Sequence, residues 1–192
     1  MNTLEDKIKK ADIKTEPKKS WQWYMNHIRT TNASLTAQQY LGQNVQLQST
    51  RILPGQLIAF GYDPKTKEDL PYYDTFPLVL PWKASSTHFI GINLHYVHPR
   101  YRLAILDKLL LIRGNKKITE KTRLQLTWNT IQGLSKSTGV EHCVKQYLFG
   151  HVKSRFIVIP PGDDFDNWKS VVFLPLCRFK KKSASEVWKM SK

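Results

Sequence analysis

The sequence predicts an α+β fold: a small antiparallel β core, SH3-like in size or a partly closed barrel, packed with a helical middle and flanked by basic N- and C-terminal arms. Three observations carry this expectation. Short apolar runs punctuated by Pro and Gly fall between residues 52 and 97. Apolar residues three and four apart recur after Pro99. Lysine-rich stretches stand near both ends of the sequence. With 192 residues and 41% hydrophobic content, one core is expected and a second full domain is not. The expected boundaries are a basic arm with short helices over 1–50, an α+β core over 51–178, and a basic tail with a short helix over 179–192.

The elements follow in chain order. Residues 1–20 hold six Lys and four acids with few apolar positions, and read as an arm. Pro17 opens a helix whose face is Trp21, Tyr24, Met25 and Ile28, with Arg29 near its C-terminal end. Ser34 caps a short second helix through Leu35 and Leu41, stopped at Gly42. Pro54 and Gly55 mark a turn, and Gln56–Tyr62 reads as a strand. Asp63–Asp74 is polar and Pro-punctuated, hence a loop. Phe76–Trp82 is apolar and extended, but Pro77 and Pro81 cannot donate to a ladder, so it reads as an edge or broken strand. Thr87–Tyr96 is a third strand.

Pro99 starts a helix with Leu103, Leu106, Leu109 and Leu110 as its stripe and Gly114 after its end. Leu124, Trp128, Ile131 and Leu134 mark a second helical run, and Val140, Cys143, Val144, Tyr147 and Leu148 a third, broken at Gly150. Arg155–Ile159 is a strand ended by Pro160 and Pro161. Ser183 and Glu186 stand at the capping-box spacing, so a helix starts at Ala184 and carries Val187 and Trp188 toward a neighbour.

Thirty Lys and Arg face fifteen Asp and Glu, a formal charge of +15. Such an excess attracts polyanions, nucleic acid first among them, with an acidic protein surface as the alternative. The cations cluster after Pro99, around Lys145, Lys153 and Arg155, and in the Lys180–Lys182 run. The expected phosphate contacts are Arg100, Arg102, Lys116, Lys117, Lys180, Lys181 and Lys182. No recognition helix, zinc finger or ribonucleoprotein motif is present, so DNA binding is expected to be independent of sequence. Trp21, Trp23, Tyr24, Tyr72, Tyr73 and Trp188 can stack on unpaired bases at a DNA end or anchor protein interfaces, and Trp21, Trp23 and Trp188 read as anchors for protein partners.

No catalytic constellation emerges, and no cofactor or metal is expected. Walker-type loops and nucleophile elbows are absent from the sequence. Asp63, Asp69 and Asp74, and separately Asp163, Asp164 and Asp166, are the carboxylates that a metal-dependent nuclease would need, but both sets sit where turns favour Asp. His95, His98, His88, His142 and His151 have no zinc-ligand spacing. A His142–Cys143 nucleophile pair fails, because adjacent residues on a helix point different ways. Cys143 and Cys177 have no pairing motif and read as buried thiols from a reducing compartment. No apolar run is long enough for a membrane span, and the charged N-terminus is not a secretory signal.

Four stretches, YDPKTKEDLPYYDTFPLVLP (62–81), FIGINLHYVHPRYRLAILDKL (89–109), KQYLFGHVKSRFIVIPP (145–161) and NWKSVVFLPLCRFKKKSASEVW (167–188), resemble the DNA end protector family of T4-like tailed phages. The resemblance covers most of the chain after about residue 50 and carries no catalytic residues. It implies a virion protein, made in the host cytoplasm, that caps double-stranded DNA ends near the portal in the company of other virion proteins. The chain is short for that family, which keeps a structural subunit of the neck, tail or baseplate as the alternative, its basic arms threading between neighbouring subunits.

Overall fold

The computed structural model describes residues 47–49, 52–53, 55–98, 117–136, 140–160 and 177–190, with individual residues at 101, 102, 105, 106, 108, 109, 112, 115 and 168. The strands are β1 (Leu47–Ser49), β2 (Leu57–Ala59), β3 (Tyr73–Asp74), β4 (Leu78–Ala84), β5 (His88–Asn93), β6 (Val144–Leu148), β7 (Phe156–Ile159) and β8 (Phe179–Lys180). Helix α1 has its described residues within 101–112, α2 is Glu120–Ser135 and α3 is Ala184–Met190. The α+β class is as expected. Six strands form one sheet in the order β1-β7-β2-β4-β5-β6, antiparallel throughout, and β3 pairs with β8 in a second, two-stranded sheet.

Alternation along the strands places apolar residues on both faces of the large sheet. Leu57, Ala59, Leu78, Leu80 and Ile92 face Ile105, Leu106 and Leu109 of α1, Ile131 and Leu134 of α2, and Val187 of α3. Ile58, Phe60, Val79, Phe89, Tyr147, Phe156 and Val158 fill the other side. There Phe60 meets Tyr147 of β6 and Phe156 of β7 edge-to-face, each at 5.2 Å. β6 and β7 lie far apart in the strand order, so the sheet curls to bring them to one ring. A bridge between Tyr62 and Val152 closes the same side.

Two expectations are corrected. The Phe76–Trp82 run is no edge: β4 lies between β2 and β5. The Pro81 carbonyl accepts from Gly55 N–H, so its ring nitrogen faces the turn beyond the end of β2, where the ladder asks for no donor. The register shifts between Pro81 and Lys83, so the break expected there is a bulge. Gly91 lies opposite Pro81. A Cβ on it would stand 2.3 Å from Val79 Cγ1 and 2.8 Å from the Leu80 carbonyl oxygen, so only glycine fits.

The second correction is the run from Val140 to Leu148. Its apolar spacing suits a helix, yet only Glu141–Cys143 make a helical turn and Val144–Leu148 are strand β6. β-Branched and aromatic residues there fit a pleated surface, and β5 offers a full register from Ile92↔Val144 to His88↔Leu148.

The expected helix through Leu124, Trp128, Ile131 and Leu134 is α2, capped by Thr119, whose Oγ1 accepts from Thr122 N–H at 3.2 Å. Trp128 Nε1 donates to the Trp82 carbonyl at 2.9 Å and ties α2 to the bulged strand. Ser183 and Glu186 form the capping box: Ser183 N–H donates to Glu186 Oε2 at 2.8 Å and Glu186 N–H to Ser183 Oγ at 3.4 Å. The expected helices through Trp21–Ile28 and Ser34–Leu41 lie outside the described residues.

A tyrosine and lysine cleft as candidate nucleic-acid interface

The polar loop between β2 and β3 folds over the end of β6 and leaves a cleft of about 350 Å³. Its walls include Tyr62, Tyr73, Tyr96 and Tyr147, with Lys65, Thr66, Lys145 and Gln146 toward the polar side and Asp74 and Asn93 also lining it. Lys145 Nζ stands 4.5 Å from the centroid of the Tyr96 ring, a cation–π contact in a partly desolvated place. Burial pulls the Lys145 ammonium below its ordinary pKa. Tyr72 lies against Tyr96 at 5.8 Å, Lys182 over Tyr72 at 5.6 Å, and Lys180 pairs with Tyr73 across the small sheet. Three lysines therefore stand beside three tyrosines near the cleft.

The cleft is held by two devices. The first is the buried carboxylate of Asp74, 3% exposed. Its Oδ2 accepts from His95 Nδ1 at 2.6 Å and Asn93 Nδ2 at 3.4 Å, and its Oδ1 from the N–H groups of Phe76 at 3.0 Å and Arg178 at 3.2 Å. Burial alone would raise this carboxyl, but the neighbouring His95 ring and the backbone donors outweigh it and hold the pKa below the ordinary value. Asn93 also donates to Tyr147 Oη at 2.9 Å. Burial pushes the Tyr96 and Tyr147 hydroxyls well above their ordinary range, so both stay neutral.

The second device is Lys181. Its backbone is left-handed, with φ 70°, and its ammonium donates to the carbonyls of Lys67, Glu68 and Leu70 at 2.8–2.9 Å. An expected phosphate contact is thus a clamp that fixes the cleft-forming loop to the C-terminal segment.

Arg102 is likewise corrected. It is 3% exposed, donates from Nε to the Val97 carbonyl at 2.9 Å and from Nη2 to His95 O at 3.3 Å, and lies over the Trp188 ring. Burial lowers its pKa to about 10, still charged at neutral pH. Trp188 Nε1 donates to His95 O at 2.7 Å and its ring is half-buried in its own chain, so α3 packs on the core. Lys117 and Lys180 are exposed. Arg100, Lys116, Trp21 and Trp23 lie outside the described residues.

Among the described residues the carboxylates do not converge. Asp63 pairs with Lys67 at 3.1 Å and Asp74 with His95, while Asp163, Asp164 and Asp166 lie outside the described residues. Among the described residues no group of His, Cys, Asp and Glu could hold a metal ion. His142 and Cys143 do meet, against expectation: in the short helical turn Nε2 and Sγ stand 3.1 Å apart. Burial raises the Cys143 thiol to about 12, so it is protonated at neutral pH and a poor nucleophile. Both cysteines are free thiols.

A second hollow, lined by Leu53, Leu124, Trp128, Lys121 and Gln125, lies beside α2, with Leu53 and Leu124 over 40% exposed. No helix among the described residues is long and apolar enough to cross a membrane.

The model of a family described as phage T4 terminal DNA protecting protein matches residues 1–191. No curated protein and no solved structure matches the chain.

Proposed function

Because this chain belongs to the phage T4 terminal DNA protecting protein family, we propose that it binds the ends of packaged linear DNA through phosphate contacts, without reading sequence and without catalysis. The formal charge of +15 carries this reading. Phosphate neutralisation by Lys and Arg supplies affinity that is blind to base order. The described cations best placed for it are Lys117 and Lys180, both exposed, with Lys182 beside Tyr72. Arg100 and Lys116 stay in the proposed set. A virion location near the portal, with other virion proteins as neighbours, fits the role. The apolar surface at Leu53 and Leu124 supports such a protein contact and keeps the neck, tail or baseplate subunit as the second reading.

The test is binding to linear and covalently closed duplexes of equal length across a salt series, followed by exonuclease challenge. Wild-type protein should prefer the linear form and shield it. Lys117→Gln and Lys180→Gln should each reduce the salt slope by about one unit. Equal binding to both forms, with no shielding, would move the positive charge to acidic faces of neighbouring subunits.

A further inference from the structure

The cleft has features that general phosphate contact does not need. Lys65 is exposed on its lining and Lys145 is half-buried within it, yet neither forms an ion pair among the described residues, where the pairs are Asp63–Lys67, Asp74–His95 and Glu120–Arg123. A cation held in a desolvated place without a carboxylate is costly unless an anion arrives. Asp74, the acid that lines the cleft, is already engaged by four donors. Tyr62, Tyr96 and Tyr147 are buried beneath the cleft, while Tyr73 is half-buried and offers a flat apolar ring, the chemistry on which a nucleobase stacks. Thr66 and Gln146 add exposed polar side chains.

Size selects among nucleic-acid ligands. About 350 Å³ is at the small end of ligand pockets. It takes one nucleotide and excludes a duplex. A duplex presents a single nucleotide most cheaply at its end, where the terminal base is stacked on one side only and unstacking costs least. From this juxtaposition, and resting on the proposed role in end binding, we infer that the cleft holds the terminal nucleotide of a DNA strand. The base lies against Tyr73, the half-buried tyrosine of the lining, and the phosphate meets Lys65 and Lys145. Housing the last nucleotide also explains how an end is told from internal DNA without base readout, and why an exonuclease is denied its substrate.

The experiment uses the full chain and a hairpin duplex with one open end. A 2-aminopurine is placed at the terminal or at an internal position, and a dumbbell closed at both ends serves as the endless control. Binding of the wild type should change the fluorescence of the terminal label and leave the internal one unchanged. Lys65→Gln combined with Lys145→Gln should weaken binding to the open hairpin about ten-fold, the scale of one lost hydrogen bond to a charged group, and leave dumbbell binding unaltered. Lys65→Gln alone, on an exposed position, guards against a folding defect and should show part of the same selective loss. An equal loss on hairpin and dumbbell, or a silent terminal label, overturns the cleft assignment while end protection by the wild type stands. A wild type that does not distinguish hairpin from dumbbell overturns the proposed function and this inference together. Displacement of the hairpin by a free deoxynucleoside monophosphate at equal concentration would assign the cleft to a free nucleotide and overturn it as an end site.

Discussion

Replacing Asp74 with Ala should unfold this protein more readily than any exposed substitution. The side chain is 3% exposed and serves four donors: His95 Nδ1, Asn93 Nδ2 and the N–H groups of Phe76 and Arg178. Asn93 keeps Tyr147 as an acceptor, whereas His95 and the two backbone groups lose this one. Each buried donor left without its acceptor costs about 1–3 kcal/mol, so the loss here is about 3–5 kcal/mol. For a chain of this length that lowers Tm by roughly 6–20 °C. Asp74→Asn keeps an oxygen for the backbone donors and should cost about half as much. The pH dependence has a definite sign. The folded carboxyl titrates below its ordinary value, so its contribution is complete above about pH 3.9 and is lost as pH falls through the folded pKa. Urea denaturation at pH 7 and pH 3 reads both effects, and the gap between wild type and Asp74→Asn should narrow at the lower pH. A gap that is constant with pH, or an Asp74→Ala variant within 1 kcal/mol of wild type, would refute the view that this carboxylate organises the cleft.

Two further substitutions separate scaffold from interface. Gly91→Ala sets a methyl 2.8 Å from the Leu80 carbonyl oxygen, a backbone atom that cannot swing away; a loss of about 3 kcal/mol by denaturation is expected, the upper part of the overpacking range, and a loss under about 1 kcal/mol would mean that the bulge yields. Lys181→Met keeps the side-chain stem but removes the ammonium that holds the loop carbonyls; proteolysis within residues 63–72 should quicken while the salt slope for DNA stays at the wild-type value, and a slope reduced as by Lys180→Gln would make Lys181 a phosphate contact after all.

Local pattern made much of this fold legible. The periodicity of Leu124, Trp128, Ile131 and Leu134 marks α2, the FIVI run marks β7, and Ser183 with Glu186 marks the start of α3. What escaped were outcomes of long-range pairing. Val144 to Leu148 has helical spacing, but the open edge of β5 made it a strand. Pro81 looked like an edge marker because the sequence does not say that its nitrogen faces a turn. Tyr72 and Tyr73 stood out as stacking candidates, and Lys145 as part of a basic group. Tyr96 and Lys65 did not, since the cleft joins segments some eighty residues apart. Arg102 and Lys181 look like their basic neighbours in the sequence; only burial of the one and the carbonyl partners of the other, itself exposed, distinguish them.

The bonds from Arg178 to Asp74 and from Lys181 to the loop span 104 to 114 residues. During synthesis, therefore, the loop and both long-paired strands β4 and β5 are made well before the segment that locks them. Contacts this distant form late, after the chain entropy of closing the loop has been overcome. A nascent chain still short of residue 178 has no clamp on its cleft, and neither does a prematurely terminated one. The order of translation thus makes a finished C-terminal segment a precondition for a finished cleft.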